Sequence, residues 1–136
     1  MSLAAAAAVL NVAGSYFGGK AKKKAAKRKA AFQRSQVIRQ RDYGIEDNRL
    51  SRNALQSQIM ASAGASGVRT SSGSVQSVKS DEMLKSGRRR ERILAGSEAE
   101  LKMIAMNLKS EKSAANIDMI SGIANAGTSY FGGSSG

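Results

Sequence analysis

Across 136 residues this chain contains no proline. Proline ends helices outright, because it lacks a backbone donor and its ring clashes with the preceding turn. Outside a few glycine-rich stretches the chain is dominated by Ala, Lys, Arg, Gln, Met and Leu, all good helix formers. An all-α fold of long helices with few or no strands is therefore expected. Its hydrophobic content of 41% leans on alanine, aromatics are 4% and Trp is absent. Alanine buries little area at about 25 cal/mol per Å². A sizeable private core is not expected, and helices lined so thinly need neighbours, so an oligomer or docking on another protein follows.

The one clear reversal point is a glycine- and serine-rich stretch near mid-chain, residues 63–79, with Gly64, Gly67 and Gly73 as turn residues. No Gly-Lys-Ser/Thr follows these glycines and no strand precedes them, so a phosphate-cradling loop is not indicated. The simplest architecture is an extended helical hairpin. Residues 1–19 form an apolar helix ending at Gly18-Gly19, residues 20–62 a basic and then mixed-charge helix, and residues 63–79 the connector. Residues 80–118 form an amphipathic returning helix, capped by Ser80 with Asp81 and Glu82 in its first turn, and residues 119–136 an apolar end with a Gly/Ser tail. An arm of about 40 residues would span about 60 Å, which suits a tube, stalk or collar better than an enzyme.

Within the second arm, Leu94, Leu101, Leu108 and Ala115 recur every seven residues with Ile104 between them. This is the best amphipathic signal in the chain, and Leu94, Leu101, Ile104 and Leu108 are the expected oligomer surface. On the first arm Ile38, Ile45 and Ile59 fall at multiples of seven, interrupted by Arg52.

Charge is lopsided. Twenty-two basic residues against ten acidic leave a net +12, a footprint for nucleic acid, anionic lipid or an acidic protein channel. Ten basic residues and no acid lie between Lys20 and Arg41. Lys20, Lys22, Lys23, Lys24, Lys27, Arg28, Lys29 and Arg34 are the candidate contacts to DNA or an acidic partner, binding phosphates without reading sequence. With no Cys and no His, disulfides, thiolate zinc sites, imidazole bases and Cys nucleophiles are all removed. Asp81 with Glu82 and Glu98 with Glu100 do not converge by spacing, and composition alone leaves only Ser–Lys pairs open. No catalytic residue, metal ligand or cofactor is expected.

The two ends share a motif. Asn11 to Gly19 and Asn125 to Gly133 match at six positions, including Ser-Tyr-Phe-Gly-Gly in both. Each copy closes an uncharged apolar segment. Leu3, Val9, Leu10, Tyr16, Phe17, Ile120, Ile123, Tyr130 and Phe131 make up a candidate tip, either lying on a bilayer with tyrosines at headgroup level or packing helices through small residues. The first segment is weak as a membrane span, being mostly Ala and Gly. Its positive charges follow the apolar run, the reverse of a secretory signal.

The order of an Ala-rich apolar start, a basic Ala/Lys/Arg/Gln helix, the run Ala63 to Val68 with Ser71 to Val75, a charged helix and an apolar Gly-rich end resembles the small internal virion proteins of short-tailed bacteriophages, also called core or ejection proteins. The resemblance implies a structural protein stored inside the capsid above the portal. It would leave with or before the genome and join a conduit for DNA through the host cell envelope. Implied partners are other copies of the chain, the other core proteins, the portal, non-specifically bound genomic DNA and the host outer membrane. Microvirus DNA pilot proteins share the apolar Gly-rich start and the helical tube logic. The alternatives are a basic nucleic-acid-condensing protein and a static head–tail adaptor or collar.

Overall fold

The computed structural model describes residues 3–131, with side chains from Ala13 to Asn125 apart from Ser15. Two helices, α1 (Leu3–Ala65) and α2 (Gly73–Phe131), account for nearly all of them, and no strand occurs among the described residues. The all-α expectation holds.

The helix ends differ from the sequence expectation in two places. First, α1 runs through Gly18-Gly19 without a break. A helical glycine costs only about 1 kcal/mol against alanine, too little to stop a long helix. A Cβ on Gly19 would lie 3.5 Å from Met119 Cβ and 3.6 Å from the Ala115 carbonyl oxygen. These are ordinary van der Waals distances, so Gly19 packs against α2 with room for a methyl group.

Second, the connector is shorter than residues 63–79, because only residues 66–72 are non-helical. Small polar residues disfavour helix only weakly, and Val75, buried at 8% exposure, gives α2 a reason to start early. Ser80, Asp81 and Glu82 therefore lie inside α2, not at its cap, and Lys85 Nζ pairs with Asp81 Oδ2 at 2.7 Å and Glu82 Oε1 at 3.3 Å.

The turn itself is built on Gly67, whose φ of 69° is the only positive value among the described residues. Val68 N donates to Ala63 O at 3.0 Å and Gly67 N to Gly64 O at 3.3 Å, the paired bonds of a Schellman cap with glycine in the left-handed position. Ser66 Oγ donates back to Ser62 O at 2.8 Å. Ser72 O then accepts from Gln76 N at 3.1 Å, opening α2.

The chain divides into two compact units. The terminal unit joins Met1–Arg34 to Lys102–Gly136, and the turn unit is Ser35–Leu101. In the terminal unit α1 and α2 lie antiparallel, with Ala26, Ala30 and Ala115 as the buried side chains. Among the described residues its buried side chains are all alanine, with Ile104, Leu108 and Met119 half-buried beside them, so burial yields little energy.

In the turn unit, also antiparallel, Val37, Ala63 and Val75 are buried. A Cβ on Gly44 would meet Ile93 at 3.5 Å, and Asn48 Nδ2 donates to Ser86 O at 3.0 Å. No described side chain in either unit is completely buried, and the larger apolar residues sit outside: Phe32, Tyr43, Leu50, Met83 and Leu84 are all more than half exposed.

Candidate functional site

Charge is concentrated in the terminal unit. Eleven basic residues face two acids there, so nine of the chain's twelve net positive charges belong to it. Both acids are used. Lys22 Nζ lies 2.9 Å from Asp118 Oδ2, and Lys29 Nζ lies 3.2 Å from Glu111 Oε1. One step of seven up α1 matches one step of seven down α2, so these pairs mark a single edge of the helix–helix seam. All four side chains are well exposed, and such pairs contribute at most about 1 kcal/mol each. They fix register more than they stabilise.

The remaining candidate cations divide by helix position. Lys20, Lys23, Lys27 and Arg34 follow one another at steps of three, four and seven, a single stripe on the other side of the seam residues Gly19, Ala26 and Ala30. Lys24 and Arg28 point to the back of α1. None of these six has an ion-pair partner among the described residues.

Lys20 Nζ sits 4.4 Å from the centroid of the Tyr16 ring, a cation–π distance. Hydrogen bonding from Lys20, its charge and that of Lys23 hold the Tyr16 phenol below the usual tyrosine value. The Tyr16 and Phe17 rings meet edge to face, 6.0 Å apart at 79°, and Phe17 is 69% exposed. Ile120 and Ile123 are also exposed. The side chains of Leu3, Val9, Leu10, Tyr130 and Phe131, also expected at the tip, lie outside the described ones. Among those described, no helix is long and apolar enough to cross a membrane.

Of the expected oligomer surface, Leu101, Ile104 and Leu108 are half-buried, each on the side of α2 that carries its own unit's seam, while Leu94 is exposed. A second stripe escaped the sequence reading. Met103, Met106, Ser110, Ser113, Ile117 and Ile120 alternate in steps of three and four, opposite the seam, and no charged residue occupies the stripe. The four apolar members are 57–68% exposed. The signal was present in the spacing, but two serines at its centre disguised it.

In the turn unit two features stand out. An apolar groove beside the Schellman cap is lined by Leu55, Ile59, Val68, Val75 and Val78, with Glu82 at its edge. Of the three expected turn glycines, Gly67 alone needs its conformational freedom, whereas Gly64 lies in the last turn of α1 and Gly73 begins α2. A smaller groove is lined by Gly44, Asn48, Ser51, Arg89, Arg92 and Ile93. Asn48 Oδ1 and Arg52 Nε are buried without a hydrogen-bond partner among the described residues. Arg52 interrupts the apolar stripe of α1 at a half-buried position, a polar insertion in a seam that has little apolar area to spare.

No group of His, Cys, Asp or Glu placed to hold a metal ion occurs among the described residues. In comparisons with protein-family models, curated proteins and solved structures, nothing matches this chain.

Proposed function

We propose that this protein is a structural component of the DNA-ejection apparatus of a short-tailed bacteriophage, stored in the capsid near the portal and delivered to the host envelope to line part of the genome's path. One observation supports the reading beyond the sequence resemblance: a unit whose buried side chains, among the described residues, are three alanines displays Met103, Met106, Ile117 and Ile120 outward. A unit that leaves four of its large apolar side chains facing away from its own seam is built to be completed by others, since exposed apolar patches mark association sites. The mechanism is physical. Copies associate through the outward stripe on α2, basic side chains meet polyanion, and the uncharged ends exchange protein contacts for lipid.

The envelope role is tested by leakage of dye from liposomes of anionic lipid, with the full chain compared to one lacking residues 1–19. Leakage by the full chain that is abolished by the deletion supports the conduit. Salt-sensitive DNA retention with no leakage by the full chain supports the condensing alternative instead. Self-association is tested by replacing Met106 and Ile117 with Gln, and the expected outcome is loss of oligomer mass with helix content kept.

A further inference from the structure

The basic residues of the terminal unit are sorted onto two edges of its seam. The edge bearing Lys22 and Lys29 is neutralised by Asp118 and Glu111. The other edge carries Lys20, Lys23, Lys27 and Arg34 from α1. From α2 it receives Lys109 and Lys112, three residues apart and on the opposite side of the seam residues Leu108 and Ala115 from Glu111 and Asp118. Since the two ion pairs fix which edges of the helices lie together, all six cations fall on one side. No acid joins them.

We propose that this edge is a binding track for the phosphate backbone of double-stranded nucleic acid. The inference rests on the reading above only for where the polyanion would come from.

Three observations select this ligand. The track is linear: Lys20, Lys27 and Arg34 recur at seven-residue steps, about 10.5 Å each, so the line is about 21 Å long. Duplex DNA offers one charge per roughly 1.7 Å of axis, so phosphates are available along the whole of it.

Between its ends the track has no large apolar side chain, only Ala31 and Ala105 interspersed with the cations. A bilayer-binding face needs apolar groups to bury alongside its charges. The tip and the track therefore take different partners. Finally, the nearest aromatic, Tyr16, is already covered by Lys20 at 4.4 Å, and Phe32 falls on the face of α1 away from the track, so no row of aromatics lines it for base stacking. Binding is to backbone and blind to sequence.

The test uses the full-length protein and a random-sequence duplex of about 20 base pairs, with affinity measured across a salt series. Six phosphate contacts give a slope of log K against log salt of up to about −5, near −0.9 per contact. K20Q/K27Q is compared with K22Q/K29Q. Both remove two positive charges, so the overall field changes equally and only the edge differs. The expected result is that K20Q/K27Q flattens the slope by about 2 and weakens binding, while K22Q/K29Q leaves the slope within about 0.5 of the parent.

Equal losses in both variants would overturn the edge assignment. Absence of duplex binding by the parent, with binding to anionic vesicles sensitive to K20Q/K27Q, would overturn the ligand. Circular dichroism of each variant separates loss of contact from loss of fold; if K20Q/K27Q unfolds, K109Q/K112Q on α2 replaces it, with the same slope change expected. Liposome leakage does not enter this readout, so the conduit reading and the track fail independently.

Discussion

Replacing Gly67 and Gly64 by alanine, three positions apart, should change stability in opposite directions. Gly67 has a φ of 69°, a conformation that costs an L-residue roughly 1–2 kcal/mol. Part of that is offset because alanine also restricts the unfolded chain, by about 0.4–1 kcal/mol. A net loss of about 1 kcal/mol is expected for Gly67→Ala. Gly64 is in the last turn of α1 with ordinary helical φ, and a Cβ placed there meets nothing within 4 Å. Gly64→Ala should therefore gain up to about 1 kcal/mol from helix propensity. The two variants differ by about 2 kcal/mol, close to a thirtyfold change in the folding equilibrium. Urea unfolding followed by circular dichroism measures both. Two stabilised variants, or two variants equally destabilised, would refute the assignment of the Schellman cap and with it the shortened turn.

Three further outcomes are expected. Ala115, 3% exposed, has no room for growth, so Ala115→Leu should destabilise by about 1–3 kcal/mol, whereas Ala114→Leu on the exposed neighbour should stay within about 0.5 kcal/mol; urea midpoints decide between them. Arg52→Leu removes a buried Nε that lacks a partner and should stabilise the turn unit by about 1 kcal/mol, with a loss of stability counting against the seam position. Tyr16 should ionise at lower pH in the parent than in K20Q, as read from phenolate absorbance, because the Lys20 hydrogen bond and charge favour the anion. The sign follows: a group whose folded pKa is lowered stabilises only where it is ionised. The contact thus adds nothing through this route at neutral pH, gains as pH rises through the lowered value, and is lost again as pH falls.

Much of the fold was legible because helix formation here is a matter of local composition: no proline, and alanine with long straight side chains almost everywhere. Helix ends were less legible. Gly18-Gly19, Gly64, Gly67 and Gly73 look alike in sequence, yet one position packs against α2, one adopts a left-handed φ and others simply lie in helix. What separates them is tertiary contact and hydrogen bonding, not residue type.

The same holds for the surfaces. The period of Leu101, Ile104 and Leu108 reveals an apolar face without saying whether a copy or the chain's own α1 covers it. Lys20 with Lys27 and Lys22 with Lys29 have identical spacing. Only the ion pairs to Asp118 and Glu111 tell the neutralised edge from the bare one, and that needs the register of α2. Arg52 is the part of the turn unit that composition flagged and packing left unsatisfied.

The proposed passage with the genome is tested most directly by the amount of the protein in full virions against virions that have emptied their DNA. The chain should be present in full particles and depleted from emptied ones. Retention at undiminished copy number after ejection would contradict it and assign the chain to a static collar.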